Sequence, residues 1–153
     1  MRLNRSNSYL TDDQELNNRL WQHHRTMEYL NEFPIAQLMA ENVEADDIIA
    51  HCVKKLKDCE KIIVSSDKDF YQLCDDTTVI YRPIQNKFVN KKYVLETFDI
   101  HPTNFALARA CAGDQSDNIK GIPGAGLQTL AKRVTAFAQE DPFYIEDLVR
   151  LSE

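Results

Sequence analysis

Seven carboxylates occupy three short stretches of the chain. Glu44, Asp46 and Asp47 fall within four positions, Asp67 and Asp69 are two apart, and Asp114 and Asp117 are three apart. Hard divalent cations such as Mg2+ and Mn2+ take oxygen ligands and leave several positions to water and phosphate. Two such ions roughly 3.5–4 Å apart can hydrolyse a phosphodiester, and holding them needs clustered carboxylates. Without metal the cluster is costly, because one pair of carboxylates at about 4 Å repels by about 4 kcal/mol at an effective dielectric of 20.

Each stretch also has a plainer reading. Acidic residues suit the first turn of a helix, whose free N–H groups carry the positive end of the dipole. Asp67-Lys68-Asp69 could be an ordinary turn, and so could Gly113-Asp114-Gln115-Ser116-Asp117-Asn118. Three such groups, each at the end of an element, favour the metal reading. Lys68, between two candidate ligands, is a candidate phosphate contact or a solvated lysine.

The elements that must place these groups can be read from periodicity. Ala45, Ile48, Ile49, Cys52, Val53 and Leu56 recur with helical spacing, so a helix runs from Glu44 to about Asp58 with the acids at its start. Lys61–Ser66 is a short β-branched run that reads as a buried parallel strand, and Asp67 follows at its C-terminal end, where open α/β sheets bind ligands. One helical turn is expected over Phe70–Leu73, a strand over Thr77–Tyr81 and a short edge strand over Asn86–Val89. Helices are expected from Asn90 or Lys91 to Phe98 and from Pro102 to about Ala112. Upstream, a helix over 12–32 is capped by Thr11 or Asp12, and Pro34 opens a shorter one, Ile35–Glu41. Beyond residue 100 only helices are expected.

Gly121-Ile122-Pro123-Gly124-Ala125-Gly126 joins the third acidic pair to a helix beginning Leu127-Gln128-Thr129-Leu130-Ala131-Lys132-Arg133. Glycines allow positive φ and close backbone approach, and amides of such a loop can face a phosphate. This is helix-hairpin-helix geometry for holding a DNA backbone.

These residues resemble the 5′ nuclease family of flap endonucleases, phage 5′→3′ exonucleases and the 5′ nuclease domain of bacterial DNA polymerase I. The matching motifs are E-A-D-D at Glu44–Asp47, S-S-D-K-D-F-Y-Q-L at Ser65–Leu73 and G-D-Q-S-D-N-I-K-G-I-P-G-A-G at Gly113–Gly126. The resemblance runs from about residue 34 to 133, and Arg2 and Arg5 are similar to the basic pair at the base of the family's helical arch. It implies a PIN-like α/β core over 1–100, with a remnant of the arch, followed by an extended helix-hairpin-helix over 101–153. It implies Mg2+ or Mn2+ on Glu44, Asp46, Asp47, Asp67, Asp69, Asp114 and Asp117, and K+ at the Gly121–Gly126 hairpin. It also implies DNA contacts from that hairpin, Gln128, Thr129 and Lys132, with Lys68, Arg2 and Arg5 as further candidates. The implied activity is two-metal hydrolysis of DNA, or of the RNA in RNA–DNA hybrids, at 5′ flaps, nicks or duplex ends, in replication or repair.

Three departures accompany the resemblance. The family's first strands, with two further metal aspartates, have no counterpart in this sequence, so the sheet is expected to be incomplete and a separate N-terminal polypeptide to complete it. Gln128 stands where the hairpin helix often carries Lys, for which Lys132 or Arg133 could substitute. Lys120 stands where Pro is common. The alternative is an inactive DNA-binding fragment or subunit.

Composition agrees with this. The 153 residues carry 24 acids and 18 basic groups, a net charge of -6. Setting aside the seven candidate ligands leaves 17 acids against those 18, so the rest of the surface is near neutral and bound cations would reverse the field at the site. No apolar run reaches the length of a membrane span, and no apolar signal core stands at the start, so a cytosolic protein is expected. Cys52, Cys59, Cys74 and Cys111 lack C-x-x-C spacing and read as reduced thiols used for packing.

Overall fold

The computed structural model describes residues 11–115 and 118–152. The chain forms two compact units, Met1–Val43 and Glu44–Glu153. In the first, helix α1 spans Asp12–Leu30 and starts at a complete capping box: Thr11 accepts from the Gln14 amide and the Gln14 side chain accepts from Thr11 N–H. Surface pairs such as Glu15–Arg19 and Arg25–Glu28 lace the helix, and none of its residues is buried. The expected helix at Ile35–Glu41 does not form. That segment is irregular and wholly exposed: Ile35, Leu38 and Met39 would share a helix face but stay in solvent, and seven residues without a packed face cannot meet the cost of helix nucleation.

The second unit is mixed α/β. Helix α2, Ala45–Lys55, has Glu44 as its N-cap and Leu56 as its C-cap, where the apolar stripe ends, two residues short of the expected Asp58. Strand β1 (Lys61–Val64) pairs in parallel with β2 (Thr78–Arg82), with Ile63 opposite Ile80. Strand β3 (Lys87–Val89) runs antiparallel on the other side of β2. A 3₁₀ helix, Asp69–Leu73, lies between β1 and β2.

The rest is mostly helical: α3 (Lys91–Phe98), α4 (Pro102–Ala112), α5 (Leu127–Arg133), a 3₁₀ turn at Thr135–Ala138 and α6 (Ile145–Ser152). Asn90 caps α3 and His101 caps α4, with Pro102 in its first turn. The expectation of helices alone beyond residue 100 is corrected by a small antiparallel ladder, β4 (Gly113–Asp114) with β5 (Ile119–Lys120). Two-residue strands are invisible to periodicity; this one is fixed by Gly113 (φ 78°) and Gly121, whose backbones touch.

One face of the three-stranded sheet buries Ile63, Ile80 and Val89 against Val94, Ile100, Phe105 and Phe137. The other face is open: Ile62, Val64 and Phe88 are each about 60% exposed. The expected burial of β1 on both faces is therefore wrong for the described residues, where β1 is a sheet edge covered on one side.

Three rings tie the helices to the sheet's C-terminal end. Tyr71 of the 3₁₀ helix lies 5.5 Å from Phe105 of α4 and 5.9 Å from Phe98 of α3, and Phe98 and Phe105 meet edge-on at 5.4 Å. Such tilted pairs add to the area they bury. Asn104, one residue before Phe105, is almost fully buried. It donates to the carbonyls of Gln139 and Asp141 and accepts from the Phe143 amide, which ties down the segment leading to α6.

Candidate functional site

The loop after β1 is built by its own side chains. Ser65 N–H reaches the Tyr81 carbonyl, continuing the parallel pairing by one residue. The Asp67 amide donates to Ser65 Oγ at 3.1 Å, and the Asp69 amide donates to Asp67 Oδ1 at 2.9 Å. These short-range bonds turn the chain sharply, as serine and aspartate do in such turns. The turn is held from beneath by buried Phe70 and Tyr71 and from the side by Arg82 of β2, which donates to Tyr71 Oη and to the Ser66 carbonyl, both at 3.1 Å. Asp67 and Lys68 are left exposed and Asp69 half-buried.

Helix α4 brings the third acidic stretch to the second. Phe105 is anchored in the ring cluster, and Arg109 stands one turn further along the same face. Arg109 Nε donates to Asp69 Oδ1 at 2.9 Å, and its NH2 group donates to Asp114 Oδ2. Asp114 itself is placed by the β4–β5 ladder, opposite Ile119. Asp69 and Asp114 thus meet across one guanidinium on a cavity of about 220 Å³, whose other walls include Gln72, Phe105 and Ala106. Burial works against the Arg109 charge, and the hydrogen bonds and ion pairs to the two aspartates outweigh it, so its pKa is raised.

Asp69 and Asp114 are therefore built to hold positive charge, and carboxylate oxygens around a cation are the donor chemistry of a hard divalent ion. The other predicted ligands divide. Asp67 is two residues away and tied to Asp69 by the turn. Asp117 lies outside the described residues, as do Arg2 and Arg5. Glu44, Asp46 and Asp47 stand exposed at the start of α2, where Asp46 and Asp47 occupy the acidic first turn. Among the described residues no three His, Cys, Asp or Glu side chains form a group that could hold a metal ion.

The hairpin is formed as its glycines suggest. Ile122 N–H donates to the Cys111 carbonyl at 2.8 Å and Ala125 N–H to the Ile122 carbonyl at 3.0 Å. Ala125, Leu130 and Ala131 are buried, whereas Ile122, Pro123, Gly124, Gly126, Gln128 and Lys132 are exposed; Gly121 and Thr129 are partly covered. Gly124 has φ 74°, and a Cβ on Gly124 or Gly126 would meet nothing within 4 Å. The outer side of the loop is thus open to close approach. Gly121 is the opposite case, since a Cβ there would sit 2.1 Å from the Ala112 carbonyl oxygen.

Two titrations are set by packing. Burial, then Asp75, pushes the Cys74 thiol up to about 12 and leaves it unreactive. Burial lowers the pKa of His101. All four cysteines are free; Cys74 packs in the core and Cys59 is exposed.

The family model described as "5'-3' exonuclease, N-terminal resolvase-like domain" matches residues 2–99. The chain belongs to this family. Among relatives of the same kind, a 5'-3' exonuclease of Buchnera aphidicola (subspecies Schizaphis graminum) is 37% identical over 65% of this chain and 36% of its own length. The flap endonuclease Xni of Vibrio atlanticus is 31% identical over 76% of this chain and 47% of its own, and DNA polymerase I of Treponema pallidum is 35% identical over 72% and 12%. The chain thus spans half or less of these curated relatives.

Two solved structures share the fold. Bacteriophage T5 D15 protein, co-crystallised with metal ions, matches 94% of this chain and 53% of its own with TM-score 0.73 and 21% identity. T5 D15 flap endonuclease in a pseudo-enzyme–product complex with DNA and metal ions gives TM-score 0.71 at 20% identity, covering 94% and 52%.

Arg109 is the cavity residue that motif reading passed over. It did carry a signal. Arg109 is the sole charged residue of α4, Pro-Thr-Asn-Phe-Ala-Leu-Ala-Arg-Ala-Cys-Ala, five positions before Asp114. A basic residue in a last turn also suits the helix dipole, and that ordinary role hid the other.

Proposed function

We propose that this chain carries metal-ligand and DNA-holding parts of a 5′→3′ exonuclease or flap endonuclease that hydrolyses DNA phosphodiester bonds with Mg2+ or Mn2+. The observation that carries the reading is the meeting of Asp69 and Asp114, from two separate motifs, around one cation on one cavity. Asp67, Asp69, Asp114 and Asp117 would hold the metal, with Glu44, Asp46 and Asp47 contributing from the start of α2. When bound, divalent ions supply activated water and charge neutralisation at the leaving oxygen.

The chain's own groups supply position. The Asp67–Asp69 turn, locked by Arg82, fixes ligand direction before metal arrives. The open side of the Gly121–Gly126 hairpin admits a phosphate backbone and could hold K+ through its carbonyls. Gln128, Thr129, Lys132 and exposed Lys68 lie within the DNA-contact set. The open edge and bare face of β1 suit pairing with further strands, so an N-terminal polypeptide is the expected completing partner.

The test uses a 5′-labelled flap DNA with Mg2+ or Mn2+, the chain alone, and the chain with a polypeptide supplying such strands. Cleavage in the second mixture, lost in Asp67→Asn, is expected. A second reading, an inactive DNA-binding subunit, is favoured for the isolated chain by the exposed apolar face of β1. DNA binding that weakens with salt but never leads to cleavage in either mixture would establish it. Absence of both binding and cleavage would overturn both readings.

A further inference from the structure

We propose that Arg109 is an internal counter-cation of the metal site: it holds Asp69 and Asp114 in the metal-free protein, and a divalent ion must take those oxygens from it. This rests on the metal reading above and concerns a residue outside the seven carboxylates. The geometry is a single guanidinium spanning two acids, Nε to Asp69 and the NH2 group to Asp114. Arg109 and Asp114 are three-quarters or more covered, with side-chain exposures of 24% and 20%. Solvent screening is correspondingly weak on the Asp114 arm and stronger on the Asp69 arm, whose carboxylate is 48% exposed, and charge-assisted bonds of this kind are the strong class. The planar fork is suited to holding two acceptors at once; a lysine ammonium is a point charge on a flexible stem.

Two consequences follow from that arrangement. Without metal, the guanidinium cancels the repulsion between two carboxylates brought onto one cavity. With metal, oxygens must pass from guanidinium to ion, so the intrinsic affinity of the acids is reduced by the strength of the pair they leave. Arg109 therefore sets the metal concentration at which the site fills. Once released, it remains beside the cavity, carried on the face of α4 that Phe105 anchors one turn before it. It is a positioning residue in this account, since it acts on the ion through the two acids.

Mn2+ calorimetry on the full chain tests this, with the wild type, Arg109→Gln, Arg109→Lys and Asp114→Asn. Arg109→Gln should bind Mn2+ about tenfold more tightly, a shift that losing one charge-assisted pair can supply. Arg109→Lys should fall between it and the wild type. Asp114→Asn should lose most of the heat. Binding by wild type with equal or weaker affinity in Arg109→Gln would overturn the counter-cation while leaving the metal reading intact. Absence of heat in every protein would overturn both, and heat in Arg109→Gln alone would support both. Should Arg109→Gln fail to fold, the wild type gives the answer by itself: the Arg109 Nε–H resonance should shift and exchange faster as Mg2+ is added. A resonance unmoved while Mg2+ binds elsewhere on the spectrum would overturn the proposal.

Discussion

Glu44, Asp46 and Asp47 are as closely spaced as the acids of the other two stretches, yet the protein treats them differently. Asp69 and Asp114 are partly covered, share Arg109 and sit on a cavity backed by Phe105. The α2 acids stand exposed at a helix start, and Glu44 makes no side-chain cap bond. Both arrangements are built from carboxylates, and within each stretch the acids lie one to three positions apart. Spacing fixes which element end carries the charge; packing of α4 on the Asp69–Leu73 turn fixes which charges meet.

The strongest way to break that contrast is to remove its support. Phe105→Ala takes out a fully buried ring that touches both Tyr71 and Phe98, and should cost about 4 kcal/mol in urea unfolding. Asp69 and Asp114 would then part, seen as loss of the Arg109 Nε–H pairing by NMR in any folded fraction.

Next in size is a pair of glycine substitutions in one loop. Gly121→Ala forces a Cβ onto the Ala112 carbonyl and should destabilise by about 3 kcal/mol, breaking the ladder that places Asp114. Gly126→Ala meets nothing and loses only the better N-cap of α5, about 1 kcal/mol or less, so loss of DNA affinity in the fully folded variant reports contact and not folding.

Substituting single acids probes the contrast itself. Asp114→Asn weakens a partly buried ion pair and should cost about 1–3 kcal/mol without metal. Asp46→Asn, on the exposed helix start, should cost less than about 1 kcal/mol. Equal costs, read from paired denaturation curves, would erase the distinction.

The smallest effect is a pH dependence from His101. Burial lowers its folded pKa below the ordinary 6.5, so the unfolded chain binds the proton first. Its contribution to stability is complete above that value and is lost as pH falls through it towards the lower folded value. His101→Gln should flatten the wild-type slope between pH 7 and 5 in thermal melts. An unchanged slope would place the dependence elsewhere.

Much of the fold was legible. The helical stripe of α2, the β-branched run of β1, Asn90 ahead of α3 and Pro102 at α4 each carry their structure in local chemistry, so their positions agree with the sequence to within a few residues. The segment Ile35–Glu41 failed because a helix needs a partner surface that composition does not reveal. The β4–β5 ladder failed because two residues have no period.

The sequence by itself determined the candidate ligand set, the hairpin and the family, because acid spacing and glycine placement are local constraints. Only the tertiary structure decided that Arg109 stands between Asp69 and Asp114, forty and five residues away along the chain. That contact depends on rings from three elements setting the angle of α4, and long-range packing of this kind leaves no pattern in the order of residues.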